Sequence, residues 1–292
     1  PRYAVIPGVI LGQSGHSFVQ VLDGARATVA YHEFPPAAFQ ASKTGFDLRI
    51  ANNHFDGNGF ALDLDTAAGR TSGRIRILAP QPWPVSVLSP GIMGWYAWVP
   101  AMECYHGVLS FDHALEGSLI IDGQEIDFTG CRGYMEKDWG VAFPEGYVWM
   151  QTNHFEQPGV CLTASVAVIP WLRTAFPGFI VGLWLDGELY RFATYTGARL
   201  ESIQIDDEHV RWAVRDRRLR LEMEATRAEG GLLKGPTTLD MGRRVDETLN
   251  ASVRVRLIER GGGTIFDGLG RHAGLEVFSS EHLLELVDPS RR

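Results

Sequence analysis

Alternating apolar and polar residues run through most of the chain. Four stretches in the second half show the pattern most clearly: ARLESIQI (198–205), HVRWAV (209–214), RLRLEMEA (218–225) and SVRVRLIE (252–259). A period of two places one set of side chains on each face of an extended strand. Turn signals recur between such runs at the spacing typical of all-β sandwiches and barrels. The pattern therefore predicts an antiparallel β protein.

Two Asp-Gly pairs predict hairpin turns. Asp122-Gly123 lies between the apolar runs of SLIIDGQEIDF (118–128), and Asp186-Gly187 lies within FIVGLWLDGELYRFATY (179–195). Both residues of a type I′ turn take positive φ, which Asp and Gly tolerate. Helical periodicity is confined to PPAAFQAS (35–42) and SSEHLLELV (279–287), so we expect two short helices at most.

We expect two closely packed antiparallel β-barrel or sandwich units with very little helix. The predicted units are residues 1–130 and 131–292, and no Pro-, Gly- or Ser-rich linker separates them. The sequence has no GxGxxG, P-loop, GxSxG or HExxH motif and no βαβ rhythm, which argues against the usual nucleotide-binding folds. It carries no signal for an oligomeric state.

Composition and charge narrow the function. The 292 residues are 45% hydrophobic and 21% charged, which is typical of a globular protein. The net charge of −8 argues against a nucleic acid partner, because there is no basic excess to neutralise phosphates. Three dispersed cysteines predict neither a disulfide framework nor a zinc site, and they suit reduced thiols in the cytoplasm.

Residues 160–185 are the most apolar part of the chain and carry Arg173 as their one charge. Pro170 and Pro177 interrupt the run, which favours two buried strands joined by an apolar loop over a spanning helix. We expect this loop, residues 169–180, either to cover a pocket or to make peripheral contact with a membrane.

Polar residues are concentrated in two aromatic-rich segments, 94–111 and 133–155. Each residue alone is most simply a satisfied core side chain, and Asp138 before Trp-Gly can bind turn amides. Together they predict an apolar small-molecule pocket with a few convergent polar groups, because buried polar groups need partners. The polar residues concerned are Glu103, Tyr105, His106, Glu136, Lys137, Asp138, Gln151, Asn153 and His154.

No pair of histidines has the HxH or HxxxH spacing of metal ligands. We therefore predict no metal site.

These segments resemble the tocopherol cyclase-like family. The match is carried by GWYAWVPAMECYHGVLSFDHALEGSL (94–119) and GYMEKDWGVAFPEGYVWMQTNHF (133–155). GHSFVQVLDG (15–24), IPWL (169–172), PGFIVGL (177–183), FATY (192–195) and IFDGLGRHAGLEVF (265–278) extend it over nearly the whole chain. One departure is that the aromatic F-E-x-W-Y-F-K-like segment expected near the amino terminus is not in this sequence.

The resemblance implies a lipocalin-like fold related to carotenoid hydratases and cyclases, and an enzyme acting on a prenylated quinol or related isoprenoid lipid. Ring closure needs a proton delivered to an alkene and capture of the cation by a phenol oxygen, with no cofactor. A carboxylic acid in an apolar pocket can hold that proton near neutral pH, and aromatic faces can stabilise the cation.

The predicted catalytic residues are Asp138, Glu136, Glu103 and His106. We favour Asp138 as the acid, although Lys137 beside it argues for a structural ion-pair cluster instead. The predicted substrate-binding residues are Trp95, Trp98, Tyr105, Lys137, Trp139, Tyr147, Trp149, Gln151, Asn153 and His154. Trp139, Trp149, Trp98, Tyr105 and Tyr147 are the candidate cation-stabilising walls, and His106, Asn153 and His154 are candidates to orient the phenol or accept its proton.

Two alternatives remain open at this point. An alkene hydratase would use the same protonation step and capture the cation with water. A lipocalin-like binding protein would hold a quinone or isoprenoid lipid without converting it.

Overall fold

A computed structural model describes residues 1–12, 14–100, 102–171, 173–237 and 241–287. Nearly all of its regular structure is strand, paired antiparallel in three sheets. The predicted all-β class with very little helix is confirmed. The reason is the period-two pattern, which can bury one face of a strand but not one face of a helix.

The first half of the chain forms two sheets. A three-stranded sheet has the order β1-β2-β3, and a second sheet has the order β10-β9-β8-β7-β6-β5-β4, with β11 also paired to β9. The strands are β1 (Tyr3–Ile10), β2 (His16–Asp23), β3 (Thr28–Phe34), β4 (Phe39–Ala41), β5 (Asp47–Ile50), β6 (Asn53–Asp56), β7 (Gly59–Thr66), β8 (Gly69–Leu78), β9 (Cys104–Ile121), β10 (Gln124–Asp127) and β11 (Arg132–Gly140).

The second half forms one large sheet of eleven strands. Its main path is β16-β15-β14-β12-β22-β21-β19-β18-β17, with β13 paired to β22 and β20 paired to β21. The strands are β12 (Tyr147–Thr152), β13 (His154–Phe155), β14 (Cys161–Trp171), β15 (Thr174–Leu185), β16 (Glu188–Ala193), β17 (Arg199–Ile205), β18 (His209–Arg215), β19 (Leu219–Thr226), β20 (Gly231–Gly235), β21 (Arg243–Glu259) and β22 (Thr264–Phe278).

The hydrogen-bonded strands of the first half continue through Gly140, because β11 pairs with β9. The chain enters the large sheet at Tyr147, where β12 begins. The sheet pairing therefore changes over residues 141–146, and the division into units at residue 130 stays a prediction.

Both predicted hairpin turns are present. Asp122 and Gly123 have φ of +48° and +85°, and Asp186 and Gly187 have φ of +52° and +80°. Positive φ at both central residues is the geometry of a type I′ turn, which matches the twist of the strands it joins.

One of the two predicted helices forms. Residues 280–287 make helix α1 (Ser280–Val287), which packs Leu283 against the core of the second half. The prediction over 35–42 is wrong: Pro36–Ala38 make a single 3₁₀ turn and Phe39 begins β4. Ala41 of β4 pairs with Leu48 of β5, so sheet pairing outweighs the weak helical preference of this segment.

Three groups of buried apolar side chains form the core. One lies in the second half and one in the first. The third joins the two halves, because Trp83, Met93 and Phe111 of the first half pack with Cys161, Ile180 and Trp184 of the second. This third cluster lies beside the candidate site.

The apolar stretch 160–185 forms the two buried strands β14 and β15, as predicted. Their pairing extends to Trp171 and Thr174, so the predicted loop over 169–180 is mostly a hairpin end; Leu172 lies outside the described residues. Within the described part of the chain, no helix is long and apolar enough to cross a membrane.

Candidate active site

Strands β9 and β11 bring a histidine and two acids together. Their register places Asp138 opposite His106 and Glu136 opposite Val108. Glu136 and Asp138 are two residues apart on one strand, so both project to the same face. Nδ1 of His106 lies 2.7 Å from Oδ1 of Asp138, and Nε2 of the same ring lies 3.7 Å from Oε2 of Glu136. The imidazole therefore lies between the two carboxyl groups.

Glu136 accepts two side-chain hydrogen bonds on Oε2, the oxygen that faces His106. The hydroxyl of Tyr134 donates to Oε2 at 2.6 Å, and the indole Nε1 of Trp149 donates to it at 3.1 Å. Tyr134 lies on β11, whereas Trp149 lies on β12 of the large sheet. The carboxyl group of Glu136 is therefore held by both halves of the protein.

Burial and charge shift the pKa values of this group. Burial raises the pKa of Glu136, His106 opposes the shift, Asp138 adds to it, and the result is about 7. Burial alone would lower the pKa of His106, but the negative charges of Asp138 and Glu136 outweigh it and raise the pKa to about 9. At neutral pH, His106 is an imidazolium and Glu136 can hold a proton.

These groups open into an apolar cavity of about 160 Å³. Side chains from both halves line it, and most of them are aromatic or aliphatic. The lining comprises Met93, Tyr96, Met102, Cys104, His106, Glu136, Asp138, Phe143, Pro144, Tyr147, Trp149, Ser165, Ala167, Ile169, Phe176, Gly178, Phe179, Ile180, Thr194, Tyr195 and Glu276. A few polar groups in a mostly apolar cavity are typical of a small-molecule site.

A short 3₁₀ helix, Gly94–Trp98, supplies part of one cavity wall. Gly94 has φ of +58°, and a Cβ there would lie 2.5 Å from the ring of Tyr195. The hydroxyl of Tyr195 donates to the carbonyl of Ile92 at 2.6 Å. Glycine at this position thus lets the segment pack on Tyr195 and hold Met93 and Tyr96 in the lining.

A second pair of acids lies beside the first. Glu247 on β21 is directly opposite Glu276 on β22, so their side chains are close neighbours on one face of the sheet. The hydroxyl of Tyr147 donates to Oε2 of Glu276 at 2.8 Å. Burial, as the largest cause, raises the pKa of both acids. Glu276 reaches the cavity, and Glu247 is 6% exposed behind it.

Lys137 lies on the other side of β11. Its Nζ is 4.4 Å from the ring centroid of Trp139, and Trp139 stacks on Tyr105 with the ring centroids 5.3 Å apart. Period-two alternation puts Lys137, Trp139 and Tyr105 on the face opposite Glu136, Asp138 and His106. None of these three residues is in the cavity lining of the described structure. The ammonium group of Lys137 therefore lies on the opposite face of the strand from both acids.

The remaining predicted site residues divide between cavity and surroundings. Tyr147 and Trp149 line the cavity, as do His106, Glu136 and Asp138. Trp95, Trp98, Glu103, Gln151, Asn153 and His154 are outside the lining found in the described residues. Trp95 stacks on Tyr96 with centroids 4.1 Å apart, and Trp98 donates its indole N–H to the carbonyl of Val87.

Asn153 belongs to a different network, at the contact between the halves. Its side-chain amide donates to Oδ1 of Asp112 at 3.1 Å and to the carbonyl of Gly133 at 2.8 Å. Arg132 is ion-paired with the same buried Asp112. These contacts satisfy the buried acid, so their role is structural.

Two other predicted residues also have local partners. The backbone carbonyl of Glu103 accepts from the N–H groups of Val141 and Ala142. His154 stacks edge-on against His272, and burial lowers the pKa of His154.

Sequence reasoning missed Glu276, Glu247 and Tyr134. Tyr134 had a signal, since it alternates with Glu136 and Asp138 along β11. The two glutamates lie in β21 and β22, far along the chain from the aromatic-rich segments. The one signal for them in the sequence is an acidic residue at a strand position that faces the core. Which positions face the core is known only once the sheet register is known.

Side-chain oxygens and nitrogens of His106, Glu136 and Asp138 lie within 4.8 Å of one another. Imidazole nitrogens and carboxylate oxygens are atoms that can coordinate a metal ion. In the described structure, a hydrogen bond already joins His106 and Asp138. The absence of a metal from the reaction stays a prediction.

The family is decided by a match over most of the chain. Residues 15–278 match the tocopherol cyclase-like family, and this range includes every residue that lines the cavity. The chain belongs to the tocopherol cyclase-like family. The resemblance inferred from the two aromatic-rich segments is thereby confirmed.

Two curated relatives of this family member come from plants. The chain is 26% identical over 202 residues to a tocopherol cyclase, chloroplastic, of Zea mays, and 27% identical over 195 residues to a probable tocopherol cyclase, chloroplastic, of Oryza sativa subsp. japonica. Each match covers 63% of this chain and 41% of the relative. The chain thus spans about two-fifths of the length of the curated relatives that it matches.

Solved structures share the fold. The protein superimposes on kievitone hydratase from Nectria haematococca with a TM-score of 0.51 and 11% identity, covering 95% of this chain and 84% of that one. It superimposes on CghA with Sch210972 with a TM-score of 0.52 and 13% identity, covering 91% and 80%. At these identities the likeness concerns the fold, and it agrees with the predicted lipocalin-like architecture.

Proposed function

We propose that this protein is a cofactor-independent acid catalyst that closes a ring on a prenylated quinol or a related isoprenoid-bearing phenol. The main support is that the carboxyl group of Glu136 lies in an apolar cavity, where burial is the largest cause of a pKa raised to about 7. Such a group is protonated in a useful fraction of molecules near neutral pH. Family membership supports the same class of reaction.

Glu136 is the proton donor in this proposal, in place of Asp138. Two donors, Tyr134 and Trp149, hold its Oε2, which fixes the orientation of the carboxyl group. They also stabilise the carboxylate that remains after the proton leaves. Asp138 is hydrogen-bonded to His106, so its role is to hold the imidazolium beside Glu136.

The proton adds to the less substituted alkene carbon and leaves a tertiary cation. Tyr96, Tyr147 and Phe176 supply aromatic side chains to the cavity wall and can stabilise that cation. The phenol oxygen then attacks the cation and completes the ring. An apolar cavity also keeps bulk water from competing for the cation.

Incubation of the purified protein with a prenylated trimethylhydroquinone tests the proposal. In D₂O we expect a chromanol with one deuterium on the former alkene. Glu136→Gln should lower kcat by about 10³-fold, within the range for removal of a general acid. Glu116→Gln serves as the control, since Glu116 pairs with Arg76 on the exposed surface and should leave kcat unchanged.

Other outcomes separate the alternatives. A product with the mass of one added water would identify a hydratase that uses the same first step. Tight binding of the quinol with no conversion would identify a lipid-binding protein. Full activity in Glu136→Gln together with a large loss in Asp138→Asn would return the acid to Asp138.

A further inference from the structure

The acidic pair Glu247 and Glu276 has no role in the protonation step proposed above. The two residues are directly opposite each other on β21 and β22, so their side chains are close neighbours on one face of the sheet. Two carboxylates placed in this way in a buried site cannot both be ionised. The pair therefore holds a proton between them.

Glu276 accepts a hydrogen bond from the hydroxyl of Tyr147 at 2.8 Å, which favours its ionised form. Glu247 lies behind Glu276, away from the cavity lining of the described residues, and burial raises the pKa of Glu247 well above its ordinary value. We therefore place the proton of the pair on Glu247, which leaves Glu276 as a carboxylate that reaches the cavity.

Ring closure needs a base as well as an acid, because the attacking phenol loses its proton. His106 is a poor acceptor, since Asp138 lies beside its ring and raises its pKa above the neutral range. Asp138 is engaged with His106 Nδ1 at 2.7 Å. Among the carboxyl groups of the cavity lining, Glu276 is the remaining one, and it comes from the opposite half of the protein to Glu136.

We propose that Glu276 is the general base of the cavity, with Glu247 as the positioning residue that lies opposite it and keeps the proton of the pair. This assignment rests on the proposed cyclase function. The alkene π pair takes the proton of Glu136, the phenol oxygen forms the C–O bond, and the phenol O–H bond breaks as its proton moves to Glu276. The proton must then return to Glu136, so that no net proton is taken up or released.

Several charged groups face Glu276 and set its titration. Glu247 lies on β21, Tyr147 on β12, Glu136 and Asp138 on β11, and His106 on β9. Burial raises the pKa of Glu276, the hydrogen bonds from Glu247 and Tyr147 oppose this shift, and Asp138 adds to it. The base is ionised above its own pKa, whereas Glu136 is protonated below about 7. Activity should therefore show a bell-shaped pH dependence.

The test measures kcat and KM of the complete chain against pH with the prenylated trimethylhydroquinone. Glu276→Gln should lower kcat about 100-fold with KM within about threefold, and should remove the ascending limb on the acid side. Tyr147→Phe removes one donor to the carboxylate and should move that limb to higher pH. A purely structural role would change folding or KM without moving the limb.

The outcomes are distinct for the two proposals. If the wild-type protein converts the probe and Glu276→Gln keeps both its kcat and the ascending limb, the base assignment is overturned while the cyclase function stands. If the wild-type protein leaves the probe unchanged, the cyclase function fails and the base assignment fails with it. Circular dichroism and the melting temperature of Glu276→Gln establish that the variant is folded, and rescue of the limb by Glu276→Asp supports the base.

Discussion

Glu136 and Lys137 are neighbours in the chain, but they belong to different environments. The pleat of β11 turns Glu136 towards the cavity and Lys137 towards Trp139 on the outer face. The ammonium group therefore does not neutralise the acid by direct pairing. The cation near Glu136 is His106, and its charge depends on Asp138.

Asp138→Asn should lower the pKa of His106 from about 9 towards its ordinary value, because the variant loses the negative charge that opposes burial. NMR titration of the His106 ring protons measures this change. The matched control is Lys137→Gln, which alters the outer face of the same strand and should leave the His106 titration nearly unchanged. Equal shifts in both variants would contradict the separation of the two faces.

The same titration predicts a pH dependence of stability. The pKa of His106 is raised on folding, so its contribution is fully present below about pH 6.5 and is lost as pH rises through about 9. Asp138→Asn should reduce the free energy of unfolding by on the order of 2 kcal/mol at pH 6, with a smaller difference at pH 10. Chemical denaturation at the two pH values measures it. An equal loss at both would contradict the role of His106.

At the scale of elements, the site depends on how closely the two halves approach. β9 and β11 carry His106 and Glu136, whereas β12 carries Trp149. The halves meet where Trp83 stacks on Phe111 and both lie against Gly182 of β15. A glycine here removes the side chain that would otherwise separate the strand from the aromatic pair.

Gly182→Ala should destabilise the protein by about 1–3 kcal/mol, because overpacking forces side chains apart. A Cβ at this position would lie 2.6 Å from the indole of Trp83 and 3.1 Å from the ring of Phe111. Gly45→Ala is the matched control, since a Cβ there meets no atom within 4 Å. Thermal and urea unfolding compare the two variants, and equal stabilities would contradict the close contact.

At the scale of the whole molecule, large apolar side chains remain exposed beside the cavity. Trp171 is 40% exposed and contacts Tyr96 and Phe176, both of which line the cavity. Trp95 is 47% exposed and stacks on Tyr96. An exposed apolar group next to an apolar cavity is typical of a surface that contacts a membrane or another protein.

Trp171→Glu should weaken sedimentation with vesicles of phosphatidylcholine and phosphatidylglycerol by about tenfold, because the indole would lose its apolar contact with the lipid. Ile265→Glu is the matched control, since Ile265 is also 40% exposed and lies at the start of β22. Unchanged sedimentation of Trp171→Glu would show that this residue only covers the cavity.

The sequence alone determined features that depend on neighbouring residues. Period-two alternation fixed the all-β class, the two Asp-Gly pairs fixed their hairpins, and the apolar run 160–185 predicted β14 and β15. The family followed from two local segments, now matched over residues 15–278.

The tertiary structure decided which of those faces meets a cavity and what else reaches it. Glu276 is brought beside Glu136 by sheet pairing between β12 and β22, which joins residues more than a hundred positions apart in the chain. Asn153 and Trp98 are residue types that are common in binding sites. In the folded protein, however, Asn153 donates its hydrogen bond to Asp112 and Trp98 donates to Val87. Long-range register and the closeness of two sheets are not encoded in any local pattern, because both depend on the packing of the whole chain.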